Sequence, residues 1–117
     1  MLSVTSSISE DRNGRQRSVI RVEGPVSMST LPRFVDALNR ELLASDAPIV
    51  LVDLDAVDGI DDAGLGVLLG AGARVRSNNR LFGVVATMQR TRDRLADSRF
   101  DRAVDVFGSL LDAGRIN

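Results

Sequence analysis

Five aspartates fall within ten positions of this 117-residue chain: Asp53, Asp55, Asp58, Asp61 and Asp62. They lie in and just after the apolar run Ile49-Val50-Leu51-Val52-Asp53-Leu54, and just before a stretch studded with Gly64, Gly66, Gly70 and Gly72. Carboxylates so placed allow three kinds of chemistry. At the end of a strand they can hold Mg²⁺ for phosphoryl transfer, because a hard cation takes oxygen ligands. At a helix start, Asp61 or Asp62 can accept a bond from an N–H two or three residues later and so cap the helix. A helix N-terminus also exposes unpaired N–H groups, which makes it a surface for docking and for switching by added charge.

Composition narrows these. All 15 basic residues are Arg, and Lys is absent. A receiver-type phosphorylation domain sets a Lys beside its acidic cluster, and its acidic pair follows the first strand instead of a later one. Absence of His and Cys removes imidazole acid–base chemistry, thiolate nucleophiles, disulfides and the usual zinc sites. Aromatics make up 3%, with no Trp or Tyr, which leaves little to stack on single-stranded nucleic acid. Arg90, Arg92 and Arg94 alternate, a spacing that scatters them round a helix instead of making one basic stripe. No apolar run reaches the roughly 18 residues that span a membrane. The polar N-terminal stretch has no signal-peptide core. The expectation is a cytoplasmic protein with no cofactor or metal, which neither binds nucleic acid nor inserts into a membrane. With 44% hydrophobic and 26% charged residues, the chain is expected to form one domain over residues 1–117. Residues 1–62 carry six Arg against eleven acids, and residues 63–117 nine Arg against five acids. Such a dipole can steer a protein partner, and it can equally arise by chance from solvated helix faces.

The elements that position the junction follow from periodicity. Residues 2–9 alternate through Leu2, Val4, Ser6 and Ile8, as an edge strand would. Asn13-Gly14 signals a hairpin turn into a strand over 17–23, which Gly24-Pro25 is expected to end. Ser27, Ser29 and Thr30 are helix-capping hydroxyls, and Pro32 suits a first turn. Leu31, Phe34, Val35, Leu38 and Leu42 then mark one buried helix face ending near Ser45. Residues 49–54 read as a central strand, parallel to its predecessor because a helix joins them. A second helix runs from about Asp62 to Ser77, with Leu65, Leu68, Leu69, Gly72 and Val75 on one face. A strand over 81–86 follows. A weaker helix to Asp97 leans on Met88 and Leu95, and a last element holds Val104, Val106 and Phe107. A short terminal helix over 109–113 is closed by Gly114. Glycine inside a helix costs roughly 0.8–1 kcal/mol relative to Ala, so the second helix pays for close approach somewhere. Gly72 is expected to pack on the sheet, and Gly66 and Gly70 to open a shallow groove for a partner.

These residues carry a family pattern. Leu51-Val52-Asp53-Leu54-x-x-Val57-x-x-Ile60-Asp61-x-x-Gly64-Leu65-Gly66-Val67-Leu68-Leu69 resembles the STAS domain of bacterial anti-sigma-factor antagonists. The resemblance spans about residues 15–113, including the tail Leu95…Phe100-Asp101…Val104-x-Val106-Phe107. It implies an α/β STAS fold, a four- to five-stranded mixed sheet with helices packed mainly on one face. It also implies a non-enzymatic binding module that regulates transcription by partner switching. In that family a kinase-type anti-sigma factor uses ATP to phosphorylate a Ser or Thr that follows the motif Asp. The unphosphorylated antagonist binds the anti-sigma factor and frees the sigma factor; the phosphorylated form lets go. Carried onto this chain, the partner surface comprises Ser27, Gly59, Ile60, Asp61, Asp62, Ala63, Gly64, Leu65, Gly66 and Gly70. The phosphosite positions are Asp62 and Ala63, which have no hydroxyl, and Ser27 stands where the family commonly has Asp. Ser27, Ser29 and Thr30 could host an alternative phosphosite, although their position favours helix capping. The expectation is a module that docks on an anti-sigma factor but is not switched at the usual site. Asp62 either mimics the phosphorylated state or only caps the helix. The alternative is a STAS subunit of a stress-signalling scaffold or a lipid ABC transporter complex. A homodimer is compatible with either.

Overall fold

A computed structural model describes residues 1–117. The chain runs β1 (Ser3–Glu10), β2 (Gln16–Val26), α1 (Leu31–Leu43), β3 (Ile49–Ile60), α2 (Asp62–Ser77), β4 (Leu81–Val85), α3 (Gln89–Asp97) and β5 (Asp105–Phe107). Short 3-10 turns occupy Phe100–Arg102 and Asp112–Arg115. The five strands form one sheet in the order β1-β2-β3-β4-β5. The β1–β2 hairpin is antiparallel and the other pairings are parallel, so the sheet is mixed, as the sequence implied. A helix joins each parallel pair, because parallel neighbours need a crossover.

All three helices feed the same core. Phe34 and Leu38 of α1, Leu65, Leu68, Ala71 and Val75 of α2, and Leu95 of α3 pack on Ile20, Val22, Val50, Val52, Leu54, Phe82 and Val84 of the sheet. The opposite face is covered more thinly. There the C-terminal Ala113 and Ile116 lie over Ile49, Leu51 and Val85.

Several local expectations are corrected. β2 does not stop at Gly24-Pro25 but continues to Val26, and β3 runs past Leu54 to Ile60. The β2–β3 register shifts between Arg21 and Glu23 and again between Gly24 and Pro25, each time with an extra residue on β3. Such bulges break the two-residue alternation on which strand reading depends. Pro25 is tolerated because β1 pairs only as far as Glu23, so no β1 ladder bond is lost. Thr30 sits at the N-cap of α1 but makes no side-chain cap bond. Its hydroxyl instead donates to the Pro25 carbonyl and accepts from the Ser27 N–H, both at 3.0 Å. Met88 is 44% exposed and Leu95 alone of α3 is buried. The terminal helix over 109–113 is replaced by the Asp112–Arg115 turn, with Gly114 inside it.

Candidate functional site

β3 hands over to α2 through one residue. Asp61 has an extended backbone, and its carboxylate accepts from the Gly64 N–H at 3.0 Å. It is therefore the helix cap, and its negative charge sits at the positive end of the helix dipole. Its own N–H donates to the Val26 carbonyl at 3.1 Å, which pins the cap to the end of β2. The Ser27–Thr30 loop thus lies beside the start of α2, with Ser27 Oγ 3.0 Å from Ser29 Oγ.

Asp62 is the first residue of α2 and does not cap it. Its side chain is 92% exposed, and Oδ1 accepts from Arg94 Nη2 at 2.9 Å. Arg94 also donates from Nε to the Ile60 carbonyl at 3.1 Å. One guanidinium on α3 thus grips both the last residue of β3 and the first of α2. Sequence reasoning missed this residue. Asp62 and Arg94 are 32 apart in sequence, and no local spacing announces the pair.

The residues expected to form the partner surface divide by burial. Ile60, Gly64 and Leu65 are buried. A Cβ on Gly64 would come within 2.6 Å of Val26 and 2.8 Å of Ile60, so the first turn of α2 lies directly on the strand ends. These residues shape the junction and present no contact surface. Gly59, Asp62 and Gly66 are exposed, and Ser27, Asp61, Ala63 and Gly70 are partly so. At Gly66 nothing lies within 4 Å of an added Cβ, whereas at Gly72 the Phe82 ring lies 2.8 Å away. Gly72 packs on the sheet as expected, and Gly66 leaves the helix face open. Behind the junction, a cavity of about 290 Å³ separates the end of β3 from α3 and is lined by Leu54, Val57, Asp58, Gly59, Arg90 and Arg94, among others.

The other aspartates do not converge. Asp53 accepts from the Asp55 N–H at 2.9 Å and lies 3.7 Å from Arg21. Asp55 accepts from the Thr87 N–H at 2.7 Å. The hydrogen bond to Glu23, and after it the charge of Asp53, raise the Arg21 guanidinium above its ordinary pKa. No three His, Cys, Asp or Glu side chains come together in a way that could hold a metal ion. No helix is long and apolar enough to cross a membrane.

A family model described as the STAS domain matches residues 8–113. No curated protein matches the sequence significantly. Among solved structures, an anti-sigma factor antagonist from Mycobacterium paratuberculosis is 27% identical, with 95% of this chain and 91% of that one covered at a TM-score of 0.70. A putative anti-sigma factor antagonist from Thermotoga maritima is 17% identical over 92% and 90% of the two chains, with a TM-score of 0.73. The antagonist SpoIIAA in its unphosphorylated form is 10% identical over 91% and 87%, with a TM-score of 0.64. The last two likenesses are of fold.

Proposed function

The chain belongs to the STAS domain family, and from that premise we propose that it is an anti-sigma-factor antagonist-like binding module. It docks on a kinase-type anti-sigma factor in the cytoplasm, regulates transcription by partner switching and catalyses no reaction itself. The whole chain works as one module. The observation that carries this reading is the start of α2. Asp61 caps the helix and fixes its direction, while the exposed Gly59, Asp62 and Gly66 offer a surface without bulky side chains. Ser27, Ala63 and Gly70 extend that surface, and Ile60, Gly64 and Leu65 hold it in shape. The named class of the Mycobacterium paratuberculosis relative supports the choice of partner.

The usual switch is missing. Asp62 and Ala63 carry no hydroxyl to accept a phosphate. Asp62 brings one negative charge, against about −1.5 to −2 for phosphoserine, and Arg94 offsets that charge. The module is thus held in its binding form. Calorimetric titration against kinase-type anti-sigma factors, with and without ATP, tests this. Binding that ATP leaves intact, with no phosphate label on the chain, is the expected result. Absence of binding to every such factor would overturn the reading. Label on Ser27, Ser29 or Thr30 together with loss of binding would remove only its unswitched part.

A further inference from the structure

We propose that the free edge of β1 is a self-association surface, on which a second copy of this chain adds its own β1 antiparallel and continues the sheet. This is independent of the docking reading above. β1 ends the strand order and is eight residues long, whereas β5 at the other edge has three. The Asp11 N–H donates to the Arg15 carbonyl, so residues 11 and 15 bond each other across the hairpin. Antiparallel alternation then turns Ser3, Thr5, Ser7 and Ser9 toward β2. Val4, Ser6, Ile8 and Glu10 are left with their N–H and C=O groups pointing out of the sheet. Native edges are usually blunted by Lys, by Pro or by bulges. Here the β1 register is unbroken, and the strand contains no Pro and no basic residue, with Glu10 as its single charge.

The occupant that fits is the chain itself. In a twofold register centred on Ser6, each Ser6 faces its own copy and each Val4 faces the other copy's Ile8. Ile8 is 51% exposed in the isolated chain, and this register covers it with an apolar neighbour. On the other sheet face Thr5 meets Ser7, a pair that can exchange a hydroxyl hydrogen bond. Side chains of the even-numbered residues lie on the α1 side, where Ser6 Oγ donates to Glu41. The twofold therefore brings the two α1 helices onto the same face, one on each side of the seam. Arg33, Asp36 and Arg40 line the groove between α1 and β1, and none of them is in an ion pair. A second copy brings the same mixture of signs, which a strand of one charge would not match.

Sedimentation velocity on the full chain, from low micromolar to near-millimolar concentration, is expected to show a weak monomer–dimer equilibrium. Ser6→Pro removes an outward N–H and no β1–β2 bond. It is expected to weaken the dimer at least about tenfold while leaving circular dichroism and the thermal midpoint unchanged, as edge positions tolerate Pro. The chain has no Cys, so engineered thiols report cleanly. In the Ser6-centred register the Ser6→Cys thiols sit on Cα atoms about 5.5 Å apart, within disulfide reach. The Ile8→Cys positions are about 14 Å apart along the strands. Ser6→Cys is expected to give a disulfide-linked dimer on mild oxidation and Ile8→Cys to give none. A wild type that stays monomeric throughout would overturn the proposal. So would a dimer indifferent to Ser6→Pro in a folded variant, or equal cross-linking of the two Cys variants.

Discussion

Two Asp–Arg pairs sit at opposite ends of the parallel strands. Where the strands begin, Asp11 is buried and accepts from the N–H groups of Asn13 and Arg15 at 2.9 Å and from Arg15 Nε at 2.7 Å. The remaining guanidinium nitrogens of Arg15 donate to the carbonyls of Ile116 and Gly114. The pair thus closes the hairpin and holds down the segment that covers Ile49 and Leu51. Where the strands finish, Arg94 reaches Asp62, but the carboxylate stands almost wholly in solvent. The same two side-chain types are structural when both carboxylate oxygens are bonded and the geometry closes the chain on itself. They form a surface when one partner is left facing water.

Breaking the closed pair should have the largest effect. Arg15→Ala leaves a buried carboxylate short of its cation and frees the C-terminal segment. The thermal midpoint is expected to fall by on the order of 10 °C in a calorimetric scan. The closed pair also has an acid signature. Burial raises the pKa of Asp11, but the bonds from Arg15 and Asn13 outweigh it and hold the group below its ordinary value. Its contribution is complete above the unfolded carboxylate's pKa and is lost as pH falls through the lower folded value. Asp11→Asn is expected to flatten that part of the acid limb in denaturation curves taken from pH 6 down to about pH 2.

Within the open end, the glycines of α2 draw a finer line. Gly64→Ala drives a methyl into Val26 and Ile60 and is expected to cost about 1–3 kcal/mol by chemical denaturation. Gly66→Ala meets open space and is expected to gain about 0.5–1 kcal/mol. If Gly66 faces the anti-sigma factor, the same stabilising methyl weakens binding. The two measurements then move in opposite directions.

Local patterning revealed the junction because its parts are contiguous: an apolar strand, a capping Asp and a glycine-spaced helix follow one another from Ile49 to Gly72. The lengths of β2 and β3 were hidden, since the bulges opposite Arg21–Glu23 and Gly24–Pro25 erase the two-residue period. The residue type of Thr30 points to a cap, but its hydroxyl is taken by the Pro25 carbonyl, a tertiary choice. Both arginines that define the comparison were invisible for the same reason. Arg15 finds Gly114 and Ile116 about a hundred residues away, and Arg94 finds Ile60 from another helix. An Arg-only basic set gives no hint of which guanidinium reaches back to a carbonyl.

A modest effect on stability tests the site most directly. Arg94→Ala is expected to cost about 1 kcal/mol, little of it from the exposed pair with Asp62 and most from the Ile60 carbonyl left without its donor, so the fold survives and binding can be read alone. If Arg94 offsets the Asp62 charge, its removal leaves a bare carboxylate at the helix start and weakens anti-sigma binding several-fold. Asp62→Asn alone then changes affinity little, because Arg94 already masks the carboxylate from the partner and the guanidinium left behind stays bonded to the Ile60 carbonyl. Adding Asp62→Asn to Arg94→Ala restores binding, and the double-mutant cycle gives a coupling between the two positions. A free phosphate mimic predicts a different pattern: Asp62→Asn alone tightens binding, and Arg94→Ala does not alter that gain. The cycle distinguishes a charge that Arg94 offsets from one that stands in permanently for a phosphate.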